Sequence, residues 1–272
     1  MRFEPRNGYA PVHIPAAISD RPSVLAFSMA KAGSTLLNNI LSRISPDVEL
    51  TYFSIEDYLF SRNVSPTNRP TNIGKIIKPE GYCYGGFRQF PAHPVPILFS
   101  ARSVLLVRNP LDMITSLYFS LLKSHRIPRE SGASSDVDGA ASKMMSTRRF
   151  LQQTDINAFA RQAVRTYTRM FEGYVAQGFP WRKNVAIYRY EDVVFHKASW
   201  ISDICAWYGW TLAPGRAEAV AAMFDQQPET ERPENHVRQV KPGNHLVHLS
   251  AQTVTNVGEG LAEYMRIFGY QP

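Results

Sequence analysis

The run Val24-Leu25-Ala26-Phe27-Ser28 constrains the fold more than any other segment, because a glycine turn and an amphipathic stretch come directly after it. Five uncharged residues ending at a turn read as a buried strand. Gly33 marks the turn, and Leu36, Leu37, Ile40, Leu41 and Ile44 then recur at helical spacing. The unit is strand, tight turn, helix. A strand apolar on both faces needs strands beside it and helices above and below, which points away from all-α and all-β folds.

The pattern repeats along the chain. Ser103 to Val107 is a second strand, and Pro110 suits the first turn of the helix after it. That helix carries Leu111, Ile114, Leu117, Tyr118, Leu121 and Leu122 on one side. A strand and helix fall around 49–60, and a glycine-bearing strand within 81–90. A long helix spans 156–177, with Gly178 as its stop. Val185 to Tyr188 is a further strand, two helices lie within 198–225, and a helix over 250–267 closes the chain. Residues 1–22 read as an irregular arm, and 63–72 and 226–244 as loops. Residues 129–147 are rich in Ser, Gly, Ala and Asp and aperiodic, which reads as a mobile loop or lid. Residues 23–272 then form one domain of α/β class, a three-layer α/β/α fold around a parallel sheet. Ligands bind such sheets at the carboxyl ends of the strands.

Composition narrows the chemistry. Of 272 residues, 44% are hydrophobic, enough for a sizeable core and too many for long-range disorder. The net charge of +7 favours an anionic partner without choosing among nucleotide, nucleic acid and membrane. Two distant cysteines, Cys83 and Cys205, exclude a disulfide scaffold and a CxxC metal pair, and no metal is expected. The N-terminal residues lack the apolar centre of a signal peptide. The most apolar stretch, 94–107, is broken by Arg102 and too short for a bilayer. A soluble, cytoplasmic protein is expected.

The strand ends carry the informative residues. Ala30-Lys31-Ala32-Gly33-Ser34-Thr35 joins a glycine turn to a helix start, where unpaired N–H groups and the helix dipole attract an anion. The competing reading is a helix merely capped by Ser34 or Thr35. It is a poor Walker A loop, since Lys31 precedes Gly33. Arg108 follows the 103–107 strand where a Walker-type NTPase places an acid for Mg²⁺. A guanidinium there is a fork for a phosphate dianion. Ser116 stands eight residues on, sharing a helix face with Asp112 and Ser120. The competing reading pairs Arg108 with Asp112 and leaves Ser116 to packing. Tyr190-Glu191-Asp192 follows the 185–188 strand, with Tyr190 either core or a support for a flat ring. Arg238-Gln239-Val240-Lys241-Pro242-Gly243-Asn244-His245 is a second basic, glycine-containing segment.

In combination these segments resemble the sulfotransferases that use 3′-phosphoadenosine-5′-phosphosulfate (PAPS). The family's phosphosulfate loop reads Pro-Lys-Ser-Gly-Thr-Thr, and Ala30 to Thr35 matches it with Lys31 and Gly33 in register. Its 3′-phosphate motif, Arg-Asn-Pro-x-Asp with a Ser eight residues after the Arg, is matched by Arg108-Asn109-Pro110-Leu111-Asp112 and Ser116. The Tyr-Glu-Asp is present at Tyr190, and Arg238 and Gly243 keep the spacing of a late Arg-Lys-Gly-x-x-Gly segment. These motifs run in the family's order from about residue 24 to 249. There are departures. Leu36-Leu37 stand where the family often has Trp, and Gln239-Val240 replace Lys-Gly, with Lys241 nearby. Gly86-Phe87-Arg88-Gln89-Phe90-Pro91 stands where the cytosolic branch keeps Lys-Thr-His, as in divergent bacterial branches that use a Glu.

The resemblance implies a P-loop-like fold, PAPS as donor, its product 3′-phosphoadenosine 5′-phosphate (PAP), and no metal. It implies donor binding by Lys31, Ala32, Gly33, Ser34, Thr35, Arg108, Ser116, Tyr190, Arg238, Lys241 and Gly243, with Lys31 also acting on the leaving group. Sulfuryl transfer moves a neutral SO₃ unit to a hydroxyl or amine of a carbohydrate, lipid or other small molecule, and the acceptor needs a base. Glu56, His93 and His125 are the candidates. Two other readings stand beside this one. A small-molecule kinase using ATP shares the strand–loop–helix unit. A nucleic-acid binder is suggested by charge alone, with no recognisable motif.

Overall fold

The computed structural model describes residues 2–3, 12–61, 76–91, 94–124, 135–225 and 240–272. Five strands make its main sheet: β1 (Val24–Ser28), β2 (Thr51–Ser54), β3 (Tyr82–Phe87), β4 (Ser103–Val107) and β5 (Val185–Arg189). Their order is β2-β3-β1-β4-β5, and every neighbouring pair is parallel. Every residue of β1, β3 and β4 is buried, so both faces of the sheet are covered, as an apolar run without alternation requires. The fold class is the expected one, α/β in three layers.

Helix α1 (Ser34–Ile44) buries Leu37, Ile40, Leu41 and Ile44, the face set by the apolar spacing. The chain then runs through β2 into α2 (Ile55–Ser61). Beyond β4 lies α3 (Pro110–Phe119), with Pro110 in its first turn and the Asn109 side chain accepting from Leu111 N–H as a cap.

Three segments differ from the sequence reading. Residues 135–147 are not loop: α4 spans Ser135–Gln152. Ala, Met, Lys and Arg are strong helix formers, and their propensity prevails although no apolar period marks the segment. Residues 129–134 lie outside the described residues. Within 1–22, Arg2–Phe3 pairs antiparallel with Val12–His13, a short ladder where an irregular arm was expected. The closing helix is two, α10 (Ala251–Gly260) and α11 (Ala262–Ile267), meeting at Leu261. Gly258 and Gly260 weaken the end of the first. Between β4 and these come α5 (Ile156–Val175), α6 (Tyr190–Val193), α7 (Lys197–Tyr208), α8 (Arg216–Met223) and α9 (His245–His248).

The chain divides into two compact units. Residues 1–107 and 173–225 hold the sheet, with the rings of Phe27, Phe87, Tyr174 and Phe179 packed together; Phe27 stacks on Phe87 at 4.8 Å. Residues 108–172 and 226–272 hold a helical unit, whose core includes Phe171 stacked on Tyr264 at 5.5 Å.

In the sheet, Ser28 lies level with Leu106, Ser54 with Gly85 and Val107 with Arg189. From β1 the chain turns to one side of the sheet, and β4 and β5 build the other. The reversal falls between β1 and β4, where an open parallel sheet receives ligands.

Candidate active site

The lysine turn sits at the carboxyl end of β1. Met29 N–H continues the ladder to the carbonyl of Leu106 at 3.3 Å, and Ala32 N–H closes the turn on the Met29 carbonyl at 2.9 Å. Lys31 has φ 69° and Gly33 φ 101°, so the main chain twice enters the left-handed region. A lysine there is uncommon and strained by about 1 kcal/mol. Gly33 itself is the cap of α1, so neither Ser34 nor Thr35 occupies the capping position. The first-turn N–H groups have no acceptor within the helix and point out of its start. Ser28, just before the turn, is buried, and its Oγ hydrogen-bonds no described residue. These features fit a bound anion: oriented donors, a lysine and an unsatisfied buried hydroxyl.

Tyr190 lies against the turn. A Cβ on Gly33 would stand 2.8 Å from the tyrosine ring and 3.3 Å from the Leu106 side chain. Glycine is needed at this position for space as well as for its φ. Tyr190 is 7% exposed and braces the loop from below.

Glu56 occupies the first turn of α2. A Cβ on Gly86, near the end of β3, would stand 3.6 Å from the Glu56 Cβ. The structure therefore brings Glu56 and the lysine turn to the same edge of the sheet. Burial first, and then the charge of Glu56, push the Tyr174 hydroxyl well above the usual tyrosine range, so the carboxylate and this buried ring share one neighbourhood.

Sequence reasoning missed the network that holds α2. Asp57 Oδ2 accepts from Asn38 Nδ2 at 2.7 Å and from Ser54 Oγ at 2.8 Å, and Oδ1 pairs with Arg88 at 3.2 Å. Asn38 Oδ1 in turn accepts from Gly86 N–H at 3.1 Å. One carboxylate thus ties α1, α2 and the end of β3 together. The only signal in the sequence was the polar Asn38 on an amphipathic helix, which reads as solvent-facing.

The helical unit carries the other basic site. Arg108 is 7% exposed and lies 3.6 Å from Asp112 Oδ2. The ion pair foreseen as the competing reading is therefore present, but Asp112 does more. Its Oδ2 accepts from Gly243 N–H at 2.8 Å, and its Oδ1 accepts from His245 N–H at 3.0 Å and lies 2.7 Å from His245 Nδ1. Burial opposes ionisation of Asp112. The His245 hydrogen bond, the Arg108 charge and the two main-chain N–H groups outweigh it and hold the carboxyl at about 2. Asp112 thus gathers Arg108 and Gly243, two of the expected donor-binding residues, onto one carboxylate. Ser116 is partly exposed on the same helix, and Lys241 is exposed just before Gly243. His245 was not expected to take part. His93, His125 and Arg238 lie outside the described residues.

Among the described residues there is no cluster of His, Cys, Asp and Glu able to hold a metal ion, and no helix long and apolar enough to cross a membrane. No family model matches the chain, and no curated protein matches it in sequence. Solved structures do match. Mouse sulfotransferase SULT7A1 complexed with PAP superposes with TM-score 0.58 and 15% identity, over 90% of this chain and 85% of that one. Retinol dehydratase in complex with retinol and PAP gives TM-score 0.53 and 13% identity, over 92% and 83%. The same enzyme with androsterone and PAP gives TM-score 0.53 and 12% identity, over 92% and 82%. The likeness establishes the fold as that of the sulfotransferases.

Proposed function

We propose that this protein is a sulfotransferase that moves the sulfuryl group of PAPS to a hydroxyl or amine of a small acceptor. The observation that carries the reading is the Asp112 carboxylate. It joins Arg108 to Gly243, two motifs far apart in sequence that both belong, by resemblance, to 3′-phosphate recognition.

The donor carries roughly four negative charges, counting the 3′-phosphate as about two. Two basic sites at the ends of one adenosine suit it. Arg108, Ser116, Lys241 and Gly243, with Arg238, take the 3′-phosphate. Lys31 and the N–H groups of Gly33, Ser34 and Thr35 take the phosphosulfate, with Ala32 shaping the turn through its bond to Met29 and Tyr190 supporting it. The acceptor oxygen or nitrogen attacks sulfur, its proton passes to the base, and the S–O bond to the 5′-phosphate breaks. The electron pair stays on the departing phosphate, where Lys31 and the turn donors meet it. Fixed donors of this kind contribute about 3 kcal/mol each. Glu56 is the base best supported by position, with His93 and His125 as the other candidates.

Acceptors of the lipid-alcohol kind are favoured by one observation. Two of the similar structures hold retinol or androsterone. The deciding experiment is thermal stabilisation by PAP, ADP and Mg-ATP side by side. PAP alone, or PAP far above the others, is expected; a response to Mg-ATP without one to PAP overturns the reading in favour of a kinase.

A further inference from the structure

The Arg108 site contains a charge balance that nucleotide binding by Arg108 alone does not explain. Asp112 has a fully buried side chain and lies against Arg108, so the guanidinium reaches any anion with its charge already matched. The main-chain N–H groups of Gly243 and His245 are also directed at this carboxylate. The Arg108–Asp112 pair is by itself close to neutral, so a dianion there draws on further donors beside Lys241 and Arg238.

His245 offers one such donor. It is 7% exposed, and its Nδ1 lies 2.7 Å from Asp112 Oδ1, on the other oxygen of the carboxylate that meets Arg108. An ionised carboxylate accepts, so the proton of the imidazole sits on Nδ1. Nε2 makes no hydrogen bond to any described residue. In the neutral ring Nε2 is a bare lone pair that repels an anion; a second proton turns it into a donor and leaves the Arg108–Asp112–His245 triad cationic. The adjacent Asn244 is 3% exposed, and its Oδ1 also lacks a hydrogen bond to any described residue. Two neighbouring buried polar side chains with unused bonding capacity, beside a buried arginine, mark a place built for a polar ligand.

We propose that His245 is a further ligand of the phosphate held by Arg108, offering Nε2–H to it, and that the site fills with uptake of a proton. This rests on the proposed binding of the PAPS nucleotide. Among the described residues, the charged and titratable groups on the elements next to the ring include Arg161 of α5, which donates to Thr253 Oγ1 at 3.1 Å. Arg108 and Asp112 face the ring from α3, and Lys241 lies on the preceding segment. Tyr167 of α5 lies in the field of Arg108. His248 shares α9 and packs its own ring against Phe119 at 4.7 Å. The first turn of α10, Ala251 to Val254, carries no titratable side chain.

Calorimetry with PAP and with adenosine 5′-monophosphate, in buffers of different ionisation enthalpy near neutral pH, reads both affinity and proton count. His245→Asn keeps a donor at the Nδ1 position for Asp112 and lacks Nε2. PAP binding to the wild type is expected to take up more protons than binding to the variant. The variant is expected to lose about tenfold in PAP affinity while its affinity for the monophosphate changes little. His245→Gln, with an amide donor near the Nε2 position, should recover affinity without the proton. An Asn variant that melts like the wild type and binds PAP equally well overturns the proposal. If both variants fail to fold, ring ¹⁵N shifts of His245 in the wild type decide: PAP is expected to move them to the imidazolium position, and unmoved shifts overturn it. A wild type that binds no PAP refutes the nucleotide reading first and this proposal with it.

Discussion

Asn38 Nδ2 donates to Asp57 Oδ2 across 2.7 Å, and this bond joins the helix behind the lysine turn to the helix that carries Glu56. Asn38 is 5% exposed, whereas the Asp57 side chain is 43% exposed. A bond to a charged acceptor in such a half-buried setting contributes about 1 kcal/mol.

A double-mutant cycle on Asn38→Ala and Asp57→Ala is therefore expected to show a coupling of about 1 kcal/mol in urea unfolding. Turnover should fall further in Asp57→Ala than in Asn38→Ala, because the former also releases Ser54 and Arg88. Additive effects on stability would show that the two helices are held by packing alone.

Asp112→Asn is expected to destabilise the protein most at neutral pH. The folded carboxyl titrates at about 2 against 3.8 for the free group, so its stabilisation is complete above pH 4 and disappears as pH falls through the folded value. The shift corresponds to about 2 kcal/mol. Denaturant melts at neutral pH and near pH 3 should show the gap between wild type and variant narrowing towards acid. A gap independent of pH would mean that the carboxylate charge contributes nothing.

The strand–turn–helix units around Lys31 and Arg108 were legible because local rules decide them. Apolar runs end at a residue that breaks the pattern, and Gly33 and Pro110 set the helix starts beyond them. The 135–152 helix was not legible, because a segment without an apolar period gives no sign of its surroundings. The Asp112–His245 contact joins residues 133 apart, and no local rule reaches that far. Arg108 and Asp112 were flagged as a pair from their helical spacing; that the aspartate would also bind the late glycine segment required the tertiary structure.

Gly33→Ala is expected to cost about 1–3 kcal/mol and to abolish stabilisation by PAP. The new methyl meets the Tyr190 ring and must adopt a φ of 101°. Thermal melts with and without PAP check this. Undiminished stabilisation by PAP in the variant would show that the turn does not hold the nucleotide.

Arg108→Ala is expected to weaken PAP by at least about tenfold and adenosine 5′-monophosphate by much less. Equal losses for the two nucleotides, measured by calorimetry, would remove Arg108 from the 3′-phosphate site.

Lys31→Ala is expected to lower turnover of PAPS by about 100-fold while PAP affinity changes less, since the leaving oxygen gains its charge late in the reaction. Full turnover in the variant, assayed with a panel of phenols and lipid alcohols, would exclude a role in the chemistry.

The lysine turn grows from β1, a strand paired on both edges and at most 4% exposed along Val24–Ser28. Amides in such a position trade their hydrogen for deuterium only when the whole unit opens. On the proposed function, the segment that would meet the departing charge is thus rooted in a slowly exchanging strand, which keeps the aim of its donors fixed.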